Sequence, residues 1–306
     1  MVRTGTTYQG PQQLNGSPVN LCRTTAFRPD TVTSTLGSVT GWTSRIRMRI
    51  ALGIEYEGTH YFGWQRQIEG RTVQGCVEQA LSRVADHPVA VVCAGRTDTG
   101  VHATGQVVHF DTGSRREAQN WVRGANANLP GDIRVQWAAE MPESFHARFS
   151  AVRRHYRYII LNRPTASALL GNRTCREYTR LDTASMTTAG QQLVGEHDFS
   201  SFRAAACQAK SPVRTIYQLE VQRSGDFVYL DVWANAFLHH MVRCIAGVLI
   251  MVGRGEQTLA WVQELLAARN RTLSGFNATP AGLYLVAVRY APEFTLPVAG
   301  WLPQYG

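Results

Sequence analysis

The sequence predicts an α+β fold built from two related units, and three observations lead to this prediction. The chain has 306 residues, which is longer than a single hydrophobic core usually extends, so two domains are expected. Segments in which apolar and polar residues alternate, as in strands, are separated by segments with the helical spacing of apolar residues. These segments occur in the same order twice, with the division near Ser150.

The two ends of the chain lack this periodicity. Residues 1–44 are rich in Thr, Ser, Gly, Pro and Asn, which predicts a disordered leader. Met48, just inside the first predicted strand, would also serve as a translation start. Residues 295–306 are predicted to form a C-terminal tail.

The first unit, residues 45–150, is predicted to run strand, helix, strand, strand, helix, strand. Strict alternation over residues 46–56 indicates a half-buried strand, and Thr72 can cap a helix that runs to about Ala85. The remaining elements are strands at 89–93, 106–110 and 133–139, and a helix opened by a Ser114–Glu117 capping box, with Ala118, Trp121, Val122 and Ala125 facing inward. This is the βαββαβ order of ferredoxin-like folds.

The second unit, residues 151–294, repeats that order with longer pieces. Its predicted elements are strands at 152–161, 213–222, 227–233 and 283–290 and helices at 183–194, 236–252 and 259–268. The sequence therefore predicts two related ferredoxin-like domains, 45–150 and 151–294, with antiparallel sheets.

Composition restricts the class of protein and of partner. The net charge of +9 and the pI near 9.6 indicate a polyanionic partner, and nucleic acid is the default candidate. No apolar run approaches the about 20 residues of a membrane span, and no secretory signal is evident, so a cytoplasmic location is expected. The six cysteines form no C-x-x-C pair, which argues against a zinc ribbon or a redox motif and favours reduced thiols.

Asp98 is the main candidate for chemistry. It lies between two predicted strands on a turn bounded by Gly95 and Gly100, which allow sharp turns and close approach to a ligand. Arg96 and His102 place cationic or proton-transferring groups nearby, and both are candidate substrate-binding residues. The alternative is a structural Asx-turn, in which the carboxylate binds only its own backbone.

Two further segments leave room for a functional or a structural interpretation. Residues 58–67 are dense in aromatic and amide side chains and form either a satellite hydrophobic cluster or a surface for stacking bases. The adjacent residues His239 and His240 suggest a metal ligand pair, but neighbouring positions on a helix point apart and no third ligand is nearby. No metal site is therefore expected.

Residues 96–103 read Arg-Thr-Asp-Thr-Gly-Val-His-Ala. This block resembles the R-T-D-x-G-V-H-A signature of the tRNA pseudouridine synthase A family. Further blocks follow the family's order at residues 62–65, 156–158, 197–202, 235–243 and 282–285, so that the resemblance extends from about residue 46 to residue 290. The leader is the one clear departure from the family pattern.

The resemblance implies enzymes that isomerise uridine to pseudouridine at positions 38 to 40 of the tRNA anticodon stem-loop, as homodimers without cofactor or metal. Asp98 matches the catalytic aspartate, and Arg96 matches an arginine that helps to extrude the target nucleotide. Tyr156 matches the tyrosine that stacks on the flipped uracil, Arg243 the arginine that pairs with the aspartate, and Leu283 an apolar wall of the pocket. The two domains would then form a central basic RNA-binding cleft.

The chemistry agrees with these residue types. Pseudouridine formation conserves all atoms, so a carboxylate near the sugar suffices as the central group. It can add to the sugar or base, stabilise a cationic sugar, or remove a proton from the ribose, and the sequence leaves these routes open. A stacked nucleotide must first be flipped into a pocket.

Two other functions remain open at this point. A nucleoside or glycoside hydrolase would need a second carboxylate beside Asp98, with Glu55, Glu57 and Asp111 as candidates by proximity in sequence. A catalytically idle RNA-binding module is the other alternative, because ferredoxin-like sheets resemble RNA-recognition sheets.

Overall fold

The computed structural model describes residues 47–275, 277–297 and 300–306. The predicted leader, residues 1–44, and residue 46 of the first predicted strand lie outside the described residues. Among the described residues, no helix is long and apolar enough to cross a membrane.

The first half has the predicted element order. Its elements are β1 (Met48–Tyr56), α1 (Val73–Ala85), β2 (Val92–Cys93), β3 (His102–Thr112), α2 (Ala118–Asn128) and β4 (Ile133–Met141). The cap of α1 is confirmed, because the Thr72 hydroxyl accepts a hydrogen bond from the Gly75 amide at 3.3 Å. The strand predicted at 89–93 is reduced to two residues.

The capping box predicted for α2 is wrong. Glu117 occupies the N-cap without a side-chain cap, and the Ser114 hydroxyl instead donates to the carbonyl oxygen of Ala85 at the end of α1. Ala118 is exposed, whereas Trp121 and Ala125 are buried as predicted. Ser114 thus ties α2 to α1 rather than starting a helix.

The second half contains all the predicted elements and two short additional strands. Its elements are β5 (Ala151–Asn162), β6 (Cys175–Glu177), α3 (Thr183–Gln191), β7 (Gly195–Asp198), β8 (Val213–Ser224), β9 (Phe227–Ala234), α4 (Met241–Gly253), α5 (Leu259–Ala268) and β10 (Leu283–Tyr290). Helix α3 ends three residues earlier than predicted, because the amides of Leu193 and Val194 turn back to Gly190 and Gln191.

Helix α4 begins at Met241, five residues later than predicted. The Asn235 side-chain oxygen accepts hydrogen bonds from the Ala236 and Thr215 amides at 2.7 and 3.1 Å, which favours a turn after β9. His240 has φ 63° and ψ 3°, a left-handed conformation that no helix interior contains. The segment 236–240 is therefore a loop that leads into α4.

One open mixed sheet connects the two halves. Its order is β4-β1-β3-β10-β5-β9-β8-β7, with β2 added on β3 and β6 on β5. The pairs β10–β3 and β5–β6 are parallel, and the other pairs are antiparallel. The last strand of the chain therefore lies between a strand of the first half and one of the second.

The helices and the main core lie on one face of this sheet. Helix α4 is buried on nearly all sides, which agrees with its apolar composition. Smaller clusters on the other face include Phe145, from the loop before β5, and Tyr305, from the C-terminal segment. The cysteines that the structure describes are free thiols, as expected.

Candidate active site

The loop between β2 and β3 is held by main-chain and amide hydrogen bonds. The Gln106 side chain donates to the Gly95 carbonyl at 2.6 Å, and the Val101 amide closes a turn on the Asp98 carbonyl at 3.1 Å. Gly100 has φ 77°, a conformation that favours glycine. Gly95 has no positive φ, so its predicted conformational role is not needed.

A second loop supports the first from outside. The Trp64 amide donates to the Thr97 carbonyl at 3.0 Å, and the Thr97 hydroxyl hydrogen-bonds the Tyr56 hydroxyl at 2.7 Å. Gly63 has φ 77°, and a methyl group there would lie 2.7 Å from the Thr97 carbonyl oxygen. Only glycine allows this approach, so the backbone on both sides of Asp98 is fixed.

The Asp98 carboxylate points away from its own loop toward the start of α4. Its Oδ1 lies 3.2 Å from Nε2 of His239, and its Oδ2 lies 3.5 Å from Nε2 of His240 and 3.5 Å from Nη1 of Arg243. The carboxylate therefore contacts side chains that are distant in the sequence. A simple Asx-turn does not account for these contacts.

Arg243 is itself fixed by the segment before β10. Its Nε donates to the Ala278 carbonyl at 2.8 Å, and the Ala278 amide donates to the Arg243 carbonyl at 3.1 Å. The side chain is mostly buried, with 14% exposure. This clamp directs one end of the guanidinium at Asp98, so the partly buried carboxylate has a nearby positive charge to offset desolvation.

Tyr156 borders the same loop from β5. It is buried, it pairs with Leu285 of β10, and its ring packs edge-on against Phe237 with centroids 5.0 Å apart. A methyl group on Gly95 would lie 3.6 Å from the Tyr156 hydroxyl. Burial and then the charge of Asp98 raise the pKa of Tyr156, so the phenol stays neutral at physiological pH.

The remaining candidates occupy different positions around Asp98. Arg96 is exposed at the tip of the loop. Leu283 is buried at the start of β10, opposite Tyr158. Sequence reasoning missed Leu285, whose Cδ2 would lie 3.9 Å from a methyl group on Gly95. The sequence could have identified Leu285, because alternation along a strand places Leu283 and Leu285 on one face.

His102 lies outside this group. It is fully buried in β3, and its Nδ1 accepts a hydrogen bond from the Gly58 amide at 3.0 Å, while its Nε2 lies 3.0 Å from the Asn172 carbonyl oxygen. Burial lowers the pKa of His102, which keeps the ring neutral. The ring connects Gly58 and Asn172, and its substrate-binding role stays a prediction without support from these contacts.

Asp98, His239 and His240 form the cluster of the described chain that has the composition of a metal site. The prediction of no metal assumed that the two histidines point apart in a helix and that no third ligand is nearby. Both assumptions are wrong, because both histidines precede α4 and Asp98 lies beside them. Their rings are 4.1 Å apart between centroids. Arg243 places a fixed positive charge on the same carboxylate, which disfavours a cation there, and a metal-free site stays a prediction.

The aromatic segment 58–67 is in part a hydrophobic cluster, and its role as a base-stacking surface stays a prediction. Tyr61 and Trp64 are buried in the main core, as in a hydrophobic cluster. Phe62, directly before Gly63 and Trp64 in the loop that supports the Asp98 loop, is 55% exposed. The segment thus combines buried anchoring residues with an exposed Phe62 ring.

Comparisons with known proteins decide the family. The family model described as tRNA pseudouridine synthase matches residues 53–150 and 189–291. The chain belongs to the tRNA pseudouridine synthase A family. It is 56% identical to tRNA pseudouridine synthase A of Vibrio cholerae over 250 residues, which cover 82% of this chain and 95% of that protein. The corresponding protein of Nitrosococcus oceani is 58% identical over 250 residues, covering 82% and 96% of the two chains.

A third relative extends the match slightly. The tRNA pseudouridine synthase A of Aeromonas hydrophila is 55% identical over 261 residues, which cover 84% of this chain and 97% of the relative. The family consists of isomerases. The two matched segments contain Asp98 and Arg243, whereas Tyr156 lies between them.

Proposed function

We propose that this protein isomerises uridine to pseudouridine in tRNA, at positions 38, 39 and 40 of the anticodon stem-loop. The observation that carries the proposal is the contact between Asp98 and Arg243 in a chain of this family. The two residues are 145 positions apart, so the fold brings them together.

In the proposed reaction the Asp98 carboxylate is the central group. It breaks the glycosidic C–N bond by adding to the sugar or base, by stabilising a cationic sugar, or by removing a ribose proton. The base then turns and is reattached through carbon, so every atom is conserved and no cofactor is required. Arg243 places a positive charge beside the carboxylate and directs it before the substrate enters.

The recessed position of Asp98 supports the proposal that the nucleotide leaves its stack. The carboxylate is recessed, with 21% of its side chain exposed, and a base inside a stem cannot reach it. Exposed Arg96 fills the vacated stack, and the flipped uracil stacks on Tyr156 against the apolar wall of Leu283.

An aromatic turn beside the loop extends the proposed RNA surface. Phe149 is 77% exposed, and its ring stacks on His146 with centroids 4.3 Å apart. The Arg148 guanidinium lies 5.6 Å from the centroid of the Phe149 ring. Arg154 donates to the carbonyls of both Ala94 and Arg148, which ties this turn to the Asp98 loop. A rigid exposed ring with an adjacent cation suits an unstacked base.

The architecture supports the proposal of two related ferredoxin-like domains, 45–150 and 151–294. In the first half β4 pairs with β1, β1 with β3, and β3 with β2. In the second half β10 pairs with β5, β5 with β9, and β9 with β8. When the short strands β6 and β7 are left out, the strands of both halves thus lie in the order fourth, first, third, second. We propose that they form a basic RNA-binding cleft in a cytoplasmic homodimer.

The structure does not support the hydrolase alternative, because the three candidates for its second carboxylate make other contacts. Glu57 lies beside His102 at 3.7 Å, and Asp111 is paired with Arg49 at 2.7 Å. Glu55 accepts hydrogen bonds from Gln136 and Trp301. None of these three is among the described groups that contact Asp98.

Mapping of pseudouridine in tRNA tests the proposed sites. Cells that lack this gene are expected to lose pseudouridine at positions 38, 39 and 40 and to regain it when the gene is restored. Pseudouridine at other tRNA positions serves as the internal control. Loss at a different position, or no loss, would contradict the proposed specificity.

Binding of tRNA is expected to weaken steeply with salt, because the net charge of +9 acts on phosphates and releases counterions. Between about 50 and 200 mM salt we expect the dissociation constant to rise at least about tenfold, which is modest beside the loss for six phosphate contacts. A filter-binding titration at several salt concentrations measures this slope. A salt-independent constant would refute the proposed charge-driven interface.

A further inference from the structure

We propose that His240 is a positioning residue for this reaction, and that it directs the Asp98 carboxylate through a proton fixed on its Nε2. The inference rests on the proposed function, in which Asp98 is the catalytic group. It concerns a residue that contacts the carboxylate and that the mechanism above does not use.

The first observation is the backbone of His240. Its φ of 63° lies in the left-handed region, which is unfavourable for a residue with a side chain. Such a conformation persists only where its surroundings determine it. The residue is still the N-cap of α4, because its carbonyl accepts a hydrogen bond from the Cys244 amide at 2.9 Å. This conformation directs the ring toward Asp98 instead of along the helix.

The second observation determines which ring nitrogen carries the proton. The Asn277 side-chain oxygen accepts hydrogen bonds from Arg271, at 2.9 Å, and from the Cys244 thiol. Because an arginine can only donate, the orientation of the Asn277 amide is fixed. Its nitrogen, a donor, faces Nδ1 of His240 at 3.3 Å. Nδ1 therefore accepts, and the proton lies on Nε2.

The third observation is which neighbouring side chain contacts each oxygen of the Asp98 carboxylate. His240 and Arg243 both face Oδ2, each at 3.5 Å, and both side chains are mostly buried. His239, with a side chain 43% exposed, faces Oδ1 at 3.2 Å. Arg243 supplies the opposite charge, and His240 places a second N–H within 3.5 Å of Oδ2.

Two substitutions of His240 separate positioning from packing. His240→Ala is expected to lower kcat by about tenfold to hundredfold, the cost of a misplaced catalytic group, with KM for tRNA within about threefold of wild type. His240→Gln is expected to keep kcat within about threefold, because its amide nitrogen can donate to Oδ2 without selection of a tautomer. Tritium release from tRNA labelled at uracil C5 measures both constants. His197→Ala, in β7, is the control for removal of a half-buried histidine.

Asn277→Ala tests the proposed cause. In the wild-type background it is expected to lower kcat by about tenfold, because the tautomer of His240 is no longer fixed. In the His240→Gln background, Asn277→Ala is expected to lower kcat by less than about threefold. Thermal unfolding of each variant verifies that the fold is retained.

Several outcomes would overturn the proposal. Equal loss of kcat in His240→Gln and His240→Ala, a loss carried by KM, or the same cost of Asn277→Ala in both backgrounds would each do so. Failure of the proposed function has a different signature, since Asp98→Asn would then retain turnover whatever the His240 variants do.

Discussion

Asp98→Asn is expected to abolish pseudouridine formation while leaving tRNA binding within a few-fold of wild type. The substitution keeps the shape of the side chain but removes the charge that every proposed route requires. It also leaves Arg243 facing a neutral group. We expect the rate of tritium release from uracil C5-labelled tRNA to fall at least about 10³-fold, within the range for loss of a catalytic acid or base.

Asp226→Asn is a matched control for this experiment. Asp226 lies between β8 and β9, with a side chain 56% exposed and a loose ion pair to Arg163 at 3.5 Å. It should retain full turnover. Substantial turnover by Asp98→Asn would disprove the catalytic role of Asp98. Binding of tRNA without product is expected of the variant, and it would also be expected of a catalytically idle RNA-binding module. The wild-type protein distinguishes these two functions, because only an enzyme forms pseudouridine.

Asp231→Asn is expected to destabilise the fold more than any surface change. Asp231 lies on β9 and accepts two hydrogen bonds from Arg157, at 3.0 and 2.7 Å, and pairs with His155 at 2.7 Å. All three side chains are largely buried. Removal of the one negative charge leaves an unpaired buried arginine, a change that typically costs about 3–5 kcal/mol.

Equilibrium urea unfolding measures this loss. Asp111→Asn is the control, because Asp111 makes a more exposed pair with Arg49, and such pairs contribute about 0–1 kcal/mol. A second consequence concerns the C-terminal segment, since Arg157 also donates to the Pro303 carbonyl at 3.1 Å. A loss below about 1 kcal/mol for Asp231→Asn would show that the buried cluster adds little net stability.

The pKa of Asp231 gives the pH dependence of this contribution. Burial pushes the pKa up, but the hydrogen bonds from His155 and Arg157 outweigh it and hold the pKa below its ordinary value. For a lowered pKa the stabilisation is fully present above the unfolded value, about 3.9, and is lost as the pH falls through the folded value. The difference in stability between wild type and Asp231→Asn should therefore persist from neutral pH to about pH 4 and narrow below it.

The sequence alone determined the types and order of nearly all elements. Alternation and helical spacing are local properties, so they identified β1, α1 and the long strands β5, β8 and β9. The loop sequence around Asp98 likewise identified the family, because its eight residues are contiguous. Several errors arose where a side-chain hydrogen bond competes with the local pattern. Ser114 binds the end of α1 instead of capping α2, and Asn235 turns the chain where the apolar pattern predicted the start of α4.

Only the tertiary structure decided how the site is assembled. Asp98 meets His239, His240 and Arg243 because β10 lies between β3 and β5 and α4 packs over the sheet. The family resemblance implied that Arg243 pairs with Asp98, but no local pattern encodes a partner 145 residues away. The sequence placed the two histidines on diverging faces of a helix, whereas the left-handed backbone of His240 brings both rings to one carboxylate. That conformation depends on contacts from several segments, and these exist only once the chain has folded.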